Sequence, residues 1–297
     1  MRFGLLGTGP WATAVHAPVL AAHPGVEFAG VWGRRPEAAA ELAGRFGARP
    51  YDDPGALLAE VDAVAVALPP DVQSRLAVRA AAAGCHLLLD KPLALAPEAA
   101  RQVADAAAAT SAASVVFFTT RFEARQAAWI AEQAAVGGWS TGRADWLGAV
   151  FTTGSPFAAS PWRRERGALW DVGPHALSVL LPVLGDVAAV TAVRGAGDTV
   201  HLVCRHRSGA SSTAALSLTV PSAAAGTAVE LRGESGTAVL PAGGDGAAAA
   251  LHRAVDALRE AAATGTPHAC DAGFGLRVVE VLAAAERSLA TGATAAL

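Results

Sequence analysis

The chain has 297 residues, a formal net charge of −3 and a hydrophobic fraction of 53%, much of it alanine. That length allows two domains of ordinary size with a large core, and a nearly neutral chain without a basic run excludes the signature of a nucleic-acid or anionic-membrane binder. The three cysteines, Cys85, Cys204 and Cys270, are far apart and odd in number, so no zinc motif, no disulfide framework and no metal are expected, and a soluble, reducing, cytoplasmic setting follows.

In chain order, residues 1–119 alternate strand and helix signals. Apolar runs at "RFGLL" (2–6), "VEFAGVW" (26–32), "DAVAVAL" (62–68), "CHLLL" (85–89) and "SVVFF" (114–118) read as buried strands. Alanine- and leucine-rich segments at 11–23, 36–46, 54–60, 72–83 and 97–109 read as helices. This alternation predicts an α/β architecture that starts with a doubly wound Rossmann domain, a parallel sheet with helices on both faces.

After about Thr120 the texture changes. A helical segment at 122–136 precedes strand-like runs at Ala144–Phe151, Val187–Arg194, Val200–Arg207, Ser211–Val220, Thr227–Arg232 and Thr237–Leu240. The alternation in "TVHLVCRH" and "TAALSLTV" predicts half-buried strands, hence a second α+β domain over 120–270 with an open, mostly antiparallel sheet. "PAGGDGAAAA" (241–250) reads as a loop, and "GLRVVEVLAAAERSLATG" as an amphipathic helix that Gly292 ends. The longest uncharged stretch, Ser208–Val229, is broken by Gly209 and Pro221 and alternates as a strand, so no membrane span is predicted. The basic start, short apolar run and Ala12-Thr13-Ala14 also match a cleaved leader, but the glycines in that run have a more specific use.

Gly7-Thr8-Gly9-Pro10-Trp11-Ala12 follows the first strand directly and opens the first helix. In this G-x-G-x-x-A pattern Gly7 allows a tight turn, Gly9 lets backbone approach a pyrophosphate, and Ala12 permits close helix–strand packing. The free N–H groups of the helix then face phosphate charge. The alternative is a turn whose glycines serve geometry alone. At the end of the second strand, Gly33-Arg34-Arg35 stands where an NAD site usually carries an acid. Two guanidiniums without a carboxylate suit a 2′-phosphate, so NADP(H) is expected in preference to NAD(H), unless both arginines are merely solvated.

Ligands of a doubly wound sheet bind outside the carboxyl ends of its strands. Leu68-Pro69 and Asp90-Lys91-Pro92 occupy two such ends, and Pro92 restricts the conformations of Lys91. On position alone, a lysine facing a nicotinamide and a surface lysine in a loop are equal readings. Farther along, a helix is expected to start near Asp171, with Pro174 in its first turn. Asp171 and His175 are then four apart on one helix face. A carboxylate there raises the basicity of an imidazole and orients it for proton exchange. A capping aspartate and a structural histidine remain the plainer alternative.

Occurring together in this order, the three motifs resemble the glucose–fructose oxidoreductase/inositol dehydrogenase (Gfo/Idh/MocA) family. The resemblance extends over "HAPVLAAHPG" (16–25), "DKPLAL" where the family has E-K-P, "TTRFEA" (119–124), "SPWRRERGALWDVGPHAL" (160–177) and the closing helix. It implies a pyridine-nucleotide oxidoreductase acting on a sugar, polyol or related carbonyl compound. It implies Lys91 as the cofactor- and substrate-contacting lysine and Asp171 and His175 as the acid/base pair, with Arg121, Trp162 and Arg163 lining the substrate pocket. It further implies that the final helix (about 271–297) packs back on the first domain, and that the open sheet forms a dimer or tetramer contact. Asp90 replaces the family's usual glutamate, Gln73 stands where a histidine is common, and Ser178 where many relatives have an aspartate. The last two departures are expected to remove polar groups near a pocket rich in Trp162, Trp170 and Phe157. An NAD-dependent glycosidase and a catalytically inactive nucleotide-binding regulator are the competing functions.

Overall fold

Strand β1 (Arg2–Leu6) is buried at its last four positions, the pattern of a strand covered on both faces. The computed structural model describes residues 1–297 and resolves them into two units, Met1–Phe122 with Asp245–Leu276, and Glu123–Gly244 with Arg277–Leu297. In the first unit β1 joins β2 (Glu27–Trp32), β3 (Arg49–Tyr51), β4 (Ala63–Val66), β5 (His86–Asp90) and β6 (Ser114–Phe117). Their order is β3-β2-β1-β4-β5-β6, with every pairing parallel. The order reverses between β1 and β4, which puts a ligand crevice at their carboxyl ends. Helices α1 (Ala17–Ala22), α2 (Pro36–Phe46), α3 (Pro54–Leu58), α4 (Pro70–Ala82) and α5 (Pro97–Ala109) make the crossovers. The short β3, a proline-containing edge strand, escaped the apolar-run criterion.

The second unit contains α6 (Ala124–Val136), β7 (Trp139–Leu147), α7 (Pro161–Asp171), α8 (Gly173–Leu184), β8 (Val187–Arg194), β9 (Val200–His206), β10 (Ser211–Ser217), β11 (Gly226–Gly233) and β12 (Gly236–Val239). Helices α9 (Ala247–Thr264) and α10 (Ala272–Thr291) and the short β13 (Ala295–Ala296) complete the chain. The second sheet has the order β12-β11-β7-β10-β9-β8-β13; β7 and β10 run parallel and the other pairings are antiparallel. Strand β9 alternates buried and exposed along its whole length, as a strand with one solvated face does. The covered face packs on α8: a Cβ at Gly142 would lie 2.9 Å from Leu184 Cδ1. The run Pro161–Leu184 has the length and apolarity to cross a membrane, but most of it is buried and its backbone leaves helical geometry at Gly167. Such a segment reads as core.

Two expectations need correction. Residues 247–250 are the first turn of α9, not loop, because Ala250, Leu251, Ala254, Val255, Leu258 and Ala261 form a buried stripe of helical period. The glycines just before it disguised its start. Nor does the closing segment 271–297 return as a whole to the first unit. The returning segment is 245–276: it contains α9 and only the first turn of α10, where Ala272 N–H donates to Ser114 Oγ at 3.0 Å.

Burial lowers the pKa of His23, His86, His206 and His268, desolvation being the largest cause in each. These rings take up protons less readily in the fold than in the unfolded chain, where they do so below about pH 6.5. Their contribution is therefore complete above that pH and is lost as pH falls through the lowered folded values. We expect the urea midpoint to fall between about pH 7.5 and pH 5.5, before most carboxylates titrate; equal midpoints would contradict this.

Candidate functional site

Gly7 takes φ +133°, and a Cβ there would lie 2.4 Å from the Ala67 carbonyl oxygen and 3.5 Å from Leu68 Cδ2. Only glycine fits that position. The Gly7 N–H donates to Trp32 O at 2.8 Å. The turn is thus pinned between the ends of β2 and β4, at the switch point of the sheet. Thr8 packs on Gly33, where a Cβ would come 2.6 Å from Thr8 Cγ2. Gly9 and Pro10 are exposed, and a Cβ on Gly9 would meet nothing within 4 Å. No packing demands glycine at position 9, so its bare backbone suits an approaching ligand. Trp11 precedes a π-helical turn, Ala12–His16, that leads into α1, and Ala12 is wholly buried. Pro69 precedes α4 as its cap, while Arg34 and Arg35 stand exposed before α2. The bare backbone at Gly9, leading into a helix start, and two exposed guanidiniums after β2 fit the phosphates of a dinucleotide.

The loop after β5 is held by Gln73, which is fully buried. Its Nε2 donates to Asp90 O at 2.7 Å and Pro92 O at 3.1 Å, and its Oε1 accepts from Asp90 N–H at 2.8 Å. Gln73 was expected to subtract a polar group. Instead its amide, with donor and acceptor at one end, matches the N–H and C=O of a strand terminus. The Lys91–Pro92 peptide is cis and Lys91 is partly buried. Lys91 is also the only lysine in the chain, a compositional signal the motif reading overlooked. Arginine supplies every other permanent side-chain cation, so the one compact ammonium stands at the mouth of β5. A second overlooked residue is His16, fully buried in the π-turn, with Nε2 3.5 Å from Asp90 Oδ2.

In the second unit the helix expected to start at Asp171 is two helices. Asp171 closes α7, Val172 intervenes, and Gly173 opens α8 with Pro174 in its first turn. Asp171 is buried and its Oδ2 accepts from Arg163 Nε at 3.0 Å. The Arg163 guanidinium carbon lies 4.7 Å from the Phe157 ring centroid and 4.6 Å from that of Trp162, so cation–π contacts add to the ion pair. The His175 ring stacks on Trp146 of β7, centroids 5.3 Å apart and planes 8° apart; Trp146 carried no motif and was missed. Ser178 Oγ donates to the His175 carbonyl at 2.7 Å. Trp170 is 1% exposed and its indole N–H donates to Glu286 at 3.2 Å, so it is a core residue and not a pocket wall.

Arg121 belongs to the first unit, its guanidinium 5.8 Å from the Phe274 ring centroid. It also bonds the Cys270 thiol, which burial pushes up to about 11. Elsewhere His23, His252 and Asp256 are spaced like metal ligands. However, Gly25 N–H donates to His23 Nδ1 at 3.1 Å, leaving the ring proton on Nε2, 3.1 Å from Asp256 Oδ1. That tautomer offers no lone pair to an ion.

Residues 1–118 match the model of an oxidoreductase family with an NAD-binding Rossmann fold, and residues 124–239 match the GFO/IDH/MocA C-terminal domain. The D-glucoside 3-dehydrogenase of Escherichia coli is 36% identical over 110 residues, which cover 36% of this chain and 31% of that protein. The chain's matches span about a third of the length of such curated relatives. Among solved structures, GenD2 from gentamicin A biosynthesis, in complex with NAD, superposes with a TM-score of 0.85 at 26% identity over 100% of this chain and 96% of that one. Levoglucosan dehydrogenase in complex with NADH and L-sorbose reaches 0.89 at 20% identity over 100% and 98%, a likeness of fold.

Replacing Gln73 by leucine leaves the Asp90 amide and the Asp90 and Pro92 carbonyls without this partner. We expect Gln73→Leu to lower stability by about 1–3 kcal/mol in urea unfolding. A loss below about 0.5 kcal/mol would show that water replaces the clamp.

Proposed function

Because the chain belongs to the Gfo/Idh/MocA family of NAD-binding oxidoreductases, we propose that it transfers a hydride between a nicotinamide cofactor and a carbinol or carbonyl carbon of a sugar or polyol. The observation that carries this reading is the Gly7–Ala12 turn, pinned at the switch point with Gly9 bare toward solvent. Relatives named as dehydrogenases of a glucoside, of UDP-N-acetylglucosamine and of inositol support the substrate class.

When bound, the cofactor accepts or delivers the hydride, and the chain supplies geometry and field. Lys91 stabilises the negative charge that develops on the substrate oxygen and contacts the nicotinamide ribose. His175 exchanges the hydroxyl proton. Its Nδ1 is buried, so Nε2 is the atom that takes and returns it. Stacking on Trp146 fixes the plane of the imidazole. Asp171 orients His175 from the end of α7, and its ion pair with Arg163 fixes the carboxylate. Trp162 and Phe157 offer flat apolar faces of the kind that pack on a sugar ring. We expect Lys91→Ala and His175→Ala each to lower turnover by about two to four orders of magnitude, read as reduced-nicotinamide absorbance over a polyol and sugar panel. Near-normal turnover in either variant would overturn its assigned role.

For the cofactor we propose NADP(H) in preference to NAD(H), on the strength of Arg34 and Arg35, exposed directly after β2. Their guanidiniums would pair with a 2′-phosphate. Arg34→Ala should raise the KM for NADPH about tenfold and leave that for NADH nearly unchanged. A tenfold preference of the parent protein for NADH would reverse the assignment.

A further inference from the structure

We propose that His16 is a positioning residue for Lys91, acting through the Asp90 carboxylate. The inference rests on the reading above only in giving Lys91 a chemical role. His16 is 0% exposed and neither ring nitrogen makes a hydrogen bond, an exceptional state for a buried polar side chain. Its ring is wedged edge-on against Trp11 and Phe117, with centroids 6.5 Å and 6.4 Å away. Phe117 is the residue of β6 that pairs with Asp90. Those two rings steer Nε2 to within 3.5 Å of Asp90 Oδ2.

The tautomer follows from the surroundings. A proton on Nε2 meets a carboxylate, whereas a proton on Nδ1 would be buried without an acceptor. Gln73 already holds the Asp90 backbone at both its N–H and its C=O. With its carboxylate also facing the His16 Nε2, Asp90 has a preferred side-chain direction, and the next residue along the chain is Lys91. Without His16 the carboxylate loses the ring it faces, and a charge on the residue next to Lys91 is free to shift. His16 also ends the turn that the phosphate loop opens. The same ring therefore ties the cofactor cradle to the lysine loop inside the first unit.

The test exploits Lys91 being the only lysine in the chain. Reductive methylation with 13C-formaldehyde labels this single side-chain amine, so its dimethyl resonance reports Lys91 directly and needs no substrate. We compare the parent protein with His16→Leu, His16→Gln and Asp90→Asn. Glutamine carries an amide N–H near the place of Nε2; leucine carries none. His16→Leu and Asp90→Asn should both shift the Lys91 resonance. His16→Leu should lower kcat about tenfold or more with the NADPH dissociation constant within about twofold of the parent, and His16→Gln should restore resonance and turnover. Asp90→Asn, at a partly exposed position, carries the resonance test should His16→Leu fail to fold. The proposal falls if the folded variants leave the Lys91 resonance in place, or if His16→Gln is as impaired as His16→Leu, which would make the role one of packing. Failure of the functional reading looks different: Lys91→Ala would then leave turnover intact while the resonance still answered to residue 16.

Discussion

The first unit depends on a carbonyl oxygen that tolerates no side chain above it. The Ala67 oxygen sits where a Cβ of residue 7 would be, 2.4 Å away, and the Gly7 amide is bound to Trp32 O. These two constraints bring the ends of β2 and β4 onto one turn. That turn sends the chain into its first helix at the point where the strand order reverses. Thr8 against Gly33 adds a second close approach. The turn is therefore preorganised, and its open side is bare backbone.

The lysine loop shows a different economy of parts. One buried amide, Gln73, satisfies both the N–H and the C=O of Asp90 together with the Pro92 carbonyl. A small number of hydrogen bonds to one fully buried amide thus determine where the only lysine side chain begins. Arginine bears all other side-chain cations. The distinction has a chemical basis: an ammonium is a compact point charge suited to a single developing oxyanion, whereas a guanidinium is a planar fork suited to carboxylates and phosphates. One fork is used that way here, Arg163 on Asp171.

In the second unit, rigidity comes from aromatic faces. Trp146 lies flat on His175, and Trp162 and Phe157 flank the Arg163 guanidinium. The break between α7 and α8 at Val172 places Asp171 at a helix end instead of a helix start. Its carboxylate therefore answers to Arg163, eight residues back, as part of a preorganised ion pair. A histidine with its plane set by stacking and an aspartate with its position set by an ion pair form a stiffer arrangement than two side chains sharing a helix face.

The sequence by itself determined the parallel α/β unit, the glycine turn that follows β1 and the place of Lys91 at the end of β5. Each of these rests on local periodicity or on short-range spacing of special residue types. Only the tertiary structure decided which segment completes the first unit: the apolar stripe of α9 was present in the sequence, but a stripe does not say which surface it covers. His16, Gln73 and Trp146 were illegible for the same reason. Their partners, Asp90, the loop after β5 and His175, lie 17 to 74 positions away, and no local pattern encodes a contact at that range. Trp170 was misread because an aromatic beside a functional motif has the same sequence appearance whether its ring faces a ligand or the core. Burial separates the two cases, and burial is a property of the folded chain.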